Sequence, residues 1–473
     1  MKGISVLVLL AIAVVCSIFP IVSQTYADRQ NGWLMVDFRA YYCGALVARE
    51  HGDQYDAQPM HACESTTPRP FFRAKPGVTV PAPYPPYALA IIAPLTLLPF
   101  TTAAMLWYAL MTLCCALAIV LLARVAKLPI LITWAALALS LGLESLPTGQ
   151  VVPLCLVALL AAAAFAQSAE WDFAAVAVAI AMIEPHVAFP AAIALYIRYP
   201  ATRTVIVLLG ILFIAGSLAF SGIERNVEYV GAVLRAHALS EVSRDNQYSL
   251  STILAALGVS DERAVFFGNL SYLIMLVLGT IVGLRLSDRF RDAAFTLLVP
   301  PAFVVLGGPY IHSVEIVAAL PFCLLLYNYT KAYRSAHMAL LVAIVLLAVP
   351  WIDATSAALF NAPLFPAAFL VYTLHGGRTS TLATAVATGC AILLLFILAG
   401  RPGPPAHQFV ASAHPYLDPN LADASWRAVA LANSTNRFVM WLLRLPTWIG
   451  LIGLVVIGCL FTRKTALEEA VHA

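Results

Sequence analysis

A chain of 473 residues, 62% of them hydrophobic and only 11% charged, is excluded from the water-soluble globular class, whose members carry roughly 45–50% apolar and about 25% charged residues. Its mean hydropathy of +0.87 makes lipid the solvent for most of its surface. The apolar residues form unbroken runs rather than the short alternating segments of a membrane β-barrel, so the fold class is all-α integral membrane. The net charge of +3 says little about partners, and nothing marks nucleic acid as one.

Met1 to about Ser23 is one apolar run led by Lys2. It resembles a signal peptide, but more runs follow, so an uncleaved first span is expected. A polar loop over about 24–85 comes next. Apolar runs then recur near 86–98, 102–123, 129–143, 151–166, 172–197, 204–221, 264–284, 293–310, 313–329, 336–352, 363–374, 381–399 and 438–461. A full span needs about 20 residues, which gives a polytopic bundle of about 11–13 transmembrane helices. The 86–98 run is too short and is expected to lie in the interface or to re-enter. Glu184-Pro185-His186 interrupts the 172–197 run, which reads as two half-helices that dip in and return, since irregular backbone at membrane depth survives only under protein cover. No internal repeat is evident. Gly279-x-x-x-Gly283 suits close helix approach or plain packing.

Charge sets the orientation. With the N-terminus inside, the inner loops carry Arg124 and Lys127, Arg198 and Arg203, and Arg285, Arg289 and Arg291. Lys331 and Arg334, Arg378, and Arg463 and Lys464 continue the series, whereas the short outer loops Glu144–Gln150, Gly307–Ser313 and Trp351–Pro363 hold no Lys or Arg. The positive-inside rule is obeyed in every short connection. The long segments 24–85, 222–263 and 400–437 fall outside. Seven of the nine cysteines lie in apolar runs; Cys43 and Cys63 share the first outer loop, either as a disulfide in an oxidising compartment or as two unrelated thiols.

The first outer loop opens with Val36-Asp37-Phe38-Arg39-Ala40-Tyr41-Tyr42-Cys43-Gly44-Ala45, where Asp37, Tyr41 and Ala45 share one helical face. Asp37 has two readings: a general base at the membrane surface, or a capping or solvated carboxylate. The loop closes with Pro83-Tyr84-Pro85-Pro86-Tyr87, a stiff approach to an interfacial helix or a plain helix stop. Gly149-Gln150, Asn246-Gln247-Tyr248-Ser249 and the Gly307–Ser313 bend with His312 lie on the same side. His312 either meets a phosphate or is a satisfied interfacial histidine. Distant in sequence, Asp37, Gln150, Asn246, Gln247 and His312 reach one membrane face and are candidates to line an interfacial cavity. There is no Asp-x-Asp pair, phosphate-cradling glycine loop, Gly-x-Ser-x-Gly, His-Glu-x-x-His or Cys-x-x-Cys. No visible ligand set calls for a metal.

Asp37-Phe38-Arg39-Ala40-Tyr41-Tyr42, Asp53-Gln54-Tyr55-Asp56 and Tyr84-Pro85-Pro86 with Pro94-Leu95 resemble the opening of glycosyltransferase family 87. This bacterial membrane family includes polyprenyl-phosphomannose-dependent mannosyltransferases. The resemblance continues through Gly149-Gln150, the Asn246–Ser249 loop and His312, over about 30–330. One departure stands out: the family commonly has Lys-Pro where this chain has Glu184-Pro185.

The resemblance implies a GT-C-like bundle in one polytopic domain, 1–473. Its parts are the outer loop 24–85, a core over 86–330 and C-terminal helices over 331–473 with an outer loop over 400–437. It implies inverting transfer of a mannose-like hexose or a pentose from a polyprenyl-phosphate donor to a lipid, glycan or protein acceptor, at the outer face of a bacterial plasma membrane and without a cofactor. Asp37 is then the base. His312, with Arg39 and Arg244, serves the departing phosphate, and Tyr41, Gln150, Asn246 and Gln247 complete the substrate site. The alternatives are a lipid-linked substrate transporter, which would want ionisable residues across the whole membrane and internal symmetry, or a non-catalytic assembly partner.

Overall fold

The computed structural model describes residues 34–68, 79–244, 246–352, 417–433 and 438–462, with four single positions before residue 34. The predicted first span and the predicted runs 363–374 and 381–399 lie outside the described residues, as do Arg378, Arg463 and Lys464. Everything described is helix and connection. Among the described residues there is no β-sheet, only the isolated antiparallel bridges Asp56–Leu421 and Gln247–His312.

Among the described residues five helices are long and apolar enough to cross a membrane: Phe100–Ala126, Ile130–Thr148, Pro200–Glu241, Asp261–Phe290 and Trp441–Leu460. The other described apolar runs form shorter helices, among them Pro86–Leu97, Val152–Gln167, Ala294–Val304, Ser313–Tyr329 and Arg334–Ala348. The chain is therefore an all-α polytopic membrane protein. Several of the apolar runs counted toward the spans form helices of only 10–17 residues.

The described part of the predicted outer loop is folded. Helix α1 (Val36–Arg49) and helix α2 (Ala57–Thr66) are joined by the Cys43–Cys63 disulfide, which decides between the two cysteine readings. Between them Asp53 Oδ1 accepts the Tyr55 amide at 3.0 Å, a turn closed by its own side chain. This cap is tied to the C-terminal part of the chain: the Ala57 amide donates to the Asn420 carbonyl (2.7 Å) and the Ala422 amide to the Tyr55 carbonyl (2.9 Å). Helix α3 (Pro86–Ile92) starts on proline, whose fixed φ and missing N–H suit a first turn, and runs into a 3₁₀ turn over Ala93–Leu97. It is the short non-spanning element expected there.

The broken run forms helix α4 (Trp171–Ala181) and helix α5 (Pro185–Arg198). Trp171 at the start of one stacks on Tyr199 just past the end of the other, ring centroids 3.9 Å apart. The two half-helices thus leave and return at one level, a re-entrant hairpin with Glu184-Pro185-His186 at its tip. Backbone carbonyls freed at that tip are met by phenols: Tyr87 donates to Met182 O (2.9 Å) and Tyr272 to His186 O (2.8 Å). Eleven residues of α4 rise about 16 Å, roughly half of a hydrocarbon core about 30 Å thick.

A second hairpin has the same base. Helix α6 (Ala294–Val304) and helix α7 (Leu320–Tyr329) meet where Tyr329 donates to Asp292 Oδ2 at 2.7 Å, so 305–313 is their tip. Helix α8 (Asp261–Phe290) packs closely on α6 at the paired glycines: a Cβ on Gly279 would come within 2.8 Å of Phe303 Cβ, and one on Gly283 within 3.0 Å of Phe295 O. This is the close approach allowed for in the sequence.

The predicted span 204–221 continues further than expected. Helix α9 (Arg203–Glu228) bends at Gly222, φ 72° and ψ 174°, then passes through a π turn into helix α10 (Leu234–Glu241). Asn226 Nδ2 meets the carbonyls of Gly222 (2.7 Å) and Ser217 (3.2 Å), covering the ladder interrupted at the bend. Much of the predicted outer segment 222–263 is therefore helical.

Candidate functional site

Both hairpin tips, α1 and α10 enclose a cavity of about 1140 Å³. Its wall includes Asp37, Tyr41, Gln150, Arg244, Asn246 and His312, six of the eight residues expected from sequence. Arg39 and Gln247 do not line it. Arg39 is wholly buried within the cap, paired with Glu64 at 3.3 Å, because Glu64 also accepts the Val80 amide and holds the loop closed. Gln247 is also wholly buried, donating to Glu241 Oε2 (3.0 Å) and accepting from the Ile311 amide (2.8 Å). It clamps the 246–249 loop onto the 305–313 tip and acts through that clamp.

Asp37 sits in the first turn of α1. Gln150 Nε2 donates to its Oδ2 at 2.8 Å, and Tyr41, one turn along the same helix face, donates to Gln150 Oε1 at 2.9 Å. Gly149 makes this possible. Its φ of +79° suits glycine, a Cβ there would stand 2.7 Å from Phe38 Cβ, and its carbonyl accepts from Trp107 Nε1 at 2.8 Å. Burial pushes the Asp37 carboxyl above the usual carboxylate value. A Thr148 hydrogen bond, the Arg244 and His312 charges, and Gln150 pull the other way.

From Tyr41 a polar chain crosses the cavity. The Tyr41 and Tyr84 hydroxyls are 3.3 Å apart, and Tyr84 donates to Glu184 Oε2 at 2.9 Å. Glu184 Oε1 lies 2.9 Å from His186 Nδ1, and His186 Nε2 lies 3.2 Å from Glu315 Oε2. Glu315 Oε1 is 3.1 Å from His312 Nδ1, and His312 Nε2 is 3.2 Å from Glu241 Oε2. Burial opposes the charged form of His312, but the charges and hydrogen bonds of Glu315 and Glu241 prevail and raise it to about 10. His312 is thus an imidazolium at neutral pH, held between two carboxylates.

Arg244 donates to Glu241 Oε1 and Oε2 at 3.0 and 3.1 Å and lies over the Trp426 ring, 4.9 Å from its centroid. Trp426 Nε1 donates to Glu241 Oε1 at 2.6 Å, and His237 Nδ1 is 2.9 Å from Asp423 Oδ1. His237, Glu241 and His312 offer ligand atoms within 4.8 Å of one another, a grouping with metal-ligand chemistry that the sequence reading did not pick out. Sequence reasoning missed His237, Glu241, Glu315, Asp423 and Trp426 as site residues. Their only local signal is the one-turn spacing of His237 and Glu241.

Glu184, the departure from the family's usual lysine, joins the cavity wall as a partner of Tyr84 and His186. The opposite end of the molecule has a separate basic cluster: a smaller cavity of about 500 Å³ lined by Lys127, Arg198 and Arg291 with Asp288 and Asp292. Ionisable residues thus gather at two levels.

No curated protein and no solved structure matches the chain. Residues 83–307, which carry Tyr84, Gln150, Glu184, His186, Glu241 and Arg244, match Glycosyltransferase family 87. That match assigns residues 83–307 to glycosyltransferase family 87, consistent with a membrane glycosyltransferase of the GT-C kind.

Proposed function

We propose that the protein transfers a sugar from a polyprenyl-phosphate donor to a hydroxyl of a lipid, glycan or protein acceptor, with inversion, on the non-cytoplasmic face. The observation that carries the reading is the placement of Asp37 on the wall of one cavity with Arg244 and His312. In the step, the acceptor oxygen attacks the anomeric carbon. The bond from that carbon to the phosphate oxygen breaks, and the acceptor proton passes to Asp37. The polyprenyl phosphate leaves with the bonding pair. A phosphate ester leaves readily, so the demand is for a base and for positive charge near the leaving oxygen. A carboxylate raised by burial is a better base than one in water.

Gln150 orients Asp37, and Tyr41 orients Gln150. Arg244 and the His312 imidazolium supply positive charge, and Asn246 contributes a buried Oδ1 with no hydrogen-bond partner among the described residues. The face is supported by the short loops free of Lys and Arg at the cavity end, by the basic cluster at the other, and by the Cys43–Cys63 disulfide, a bond of oxidising compartments. Ionisable residues gathered at two ends, rather than along a path through the membrane, speak against the transporter alternative. The test adds radiolabelled decaprenyl- and undecaprenyl-phosphate sugars to membranes holding the protein. Label should pass to a lipid or glycan product, and its continued absence with every donor and membrane acceptor would refute the transfer.

A further inference from the structure

One corner of the cavity joins α10 to the 305–313 tip. His237 and Glu241 are one helical turn apart on α10 and face the same way. His312 comes to them from the tip. Each imidazole has its Nδ1 beside a carboxylate, His237 with Asp423 Oδ1 at 2.9 Å and His312 with Glu315 Oε1 at 3.1 Å. That pairing fixes the ring and leaves Nε2 to ligate, the arrangement that metal-binding histidines use. His312 Nε2 stands 3.2 Å from Glu241 Oε2. Two ligand atoms with bonds of about 2.0–2.1 Å to a tetrahedral ion are separated by roughly 3.3 Å. Glu241 is itself held by Trp426, Arg244 and Gln247, and Ser240 Oγ steadies Asp423 at 3.2 Å.

The charge of the wall points the same way. Five carboxylates line the cavity, Asp37, Glu144, Glu184, Glu241 and Glu315, against the guanidinium groups of Arg235 and Arg244 and the imidazoles of His186, His237 and His312. A phosphate ester among these acids is better held with a further cation beside it.

We propose that His237, Glu241 and His312 form a three-ligand site for a borderline divalent cation of the Zn²⁺ class, with its remaining coordination positions open to the cavity. Two imidazoles and a carboxylate suit such an ion, and an open position is what a phosphoryl oxygen needs. The ion takes the place of the proton between His312 and Glu241. Cation binding follows from the geometry alone; its task, neutralising the departing phosphate, rests on the transfer reading above.

The test uses the full chain in detergent, stripped by chelator and titrated with Co²⁺ and Zn²⁺. One equivalent of Co²⁺ should bind with visible d–d absorption, and Zn²⁺ should displace it. Glu241→Gln and His237→Gln should abolish that absorption, and Asp423→Asn, which removes only the carboxylate behind the ring, should weaken binding roughly 10–100-fold. Size-exclusion profiles check that each variant stays folded, and the mild Asp423→Asn change keeps the test open if Glu241→Gln does not. Wild-type protein that takes up no more Co²⁺ than His237→Gln overturns the proposal, as does uptake unchanged in all three variants. Asp37→Asn should bind Co²⁺ like the wild type. Wild-type protein that binds one Co²⁺ yet transfers no sugar supports the site and defeats the transfer reading instead.

Discussion

At Asp37 the local sequence suggested a function and the fold supplied its reason. A carboxylate in the first turn of a helix is ordinarily a cap. Here no side-chain cap bond forms at that helix start, and the carboxylate meets Gln150 instead, 113 residues away. Because burial raises its pKa, the group is protonated, and lost as a base, at a higher pH than a free aspartate of about 3.9. The acid limb of the kcat/KM profile should therefore lie above that value, with transfer falling as pH drops through it. Removing Gln150's hydrogen bond to the ionised form, as in Gln150→Leu, should move the limb further up. Gly149 was legible only as a motif; its φ and its contact with Phe38 explain it. Gly149→Ala should destabilise the protein by about 1–3 kcal/mol through overpacking, read as a lower melting temperature in detergent. Arg39 misled because an arginine two residues from a candidate base looks functional, whereas its partner Glu64 is 25 positions away in sequence.

Among the elements, the re-entrant hairpin was the most legible, since a Glu-Pro-His interruption cannot lie against lipid. The Trp171–Tyr199 stack at its base agrees with that reading. Why this chain carries Glu184 was not legible, because its partners Tyr84 and His186 are joined only by the fold. The pair predicts an asymmetry. Glu184→Lys, the residue common in the family, would set an ammonium against His186 in a nearly closed environment and break a buried pair, a loss on the order of 3–5 kcal/mol. Glu184→Gln still accepts from Tyr84 and should cost less. Thermal unfolding of the two variants checks this; equal melting temperatures would mean that the Glu184–His186 pair is not what holds the tip. The cap's attachment to 417–433 was also hidden, since contacts such as the Thr79 amide with Ser425 Oγ span 346 positions and leave no periodic trace.

For the whole molecule, composition determines the class, and the placement of Lys and Arg is the argument for orientation. The depth of each element depends on packing that hydropathy does not encode. Reporter fusions after Lys127, Arg203, Arg291, Arg334 and Lys464 should report cytoplasm, and fusions near Asp53, Asp261 and Asp418 should report the outside. A cytoplasmic signal near Asp53 would place the cavity on the wrong side for an externally used lipid-linked sugar. Non-reduced peptide mapping should recover Cys43 and Cys63 as one cross-linked pair. The measurement that bears most directly on the central claim is single-turnover transfer by purified wild-type and Asp37→Asn protein, from the labelled donor that the membrane assay identifies. Asn keeps the size and hydrogen bonding of Asp but cannot take the proton, so the rate should fall by roughly 10²–10⁴-fold with insertion and melting temperature unchanged. An Asp37→Asn protein that transfers sugar at a near-normal rate would contradict the assignment of the base.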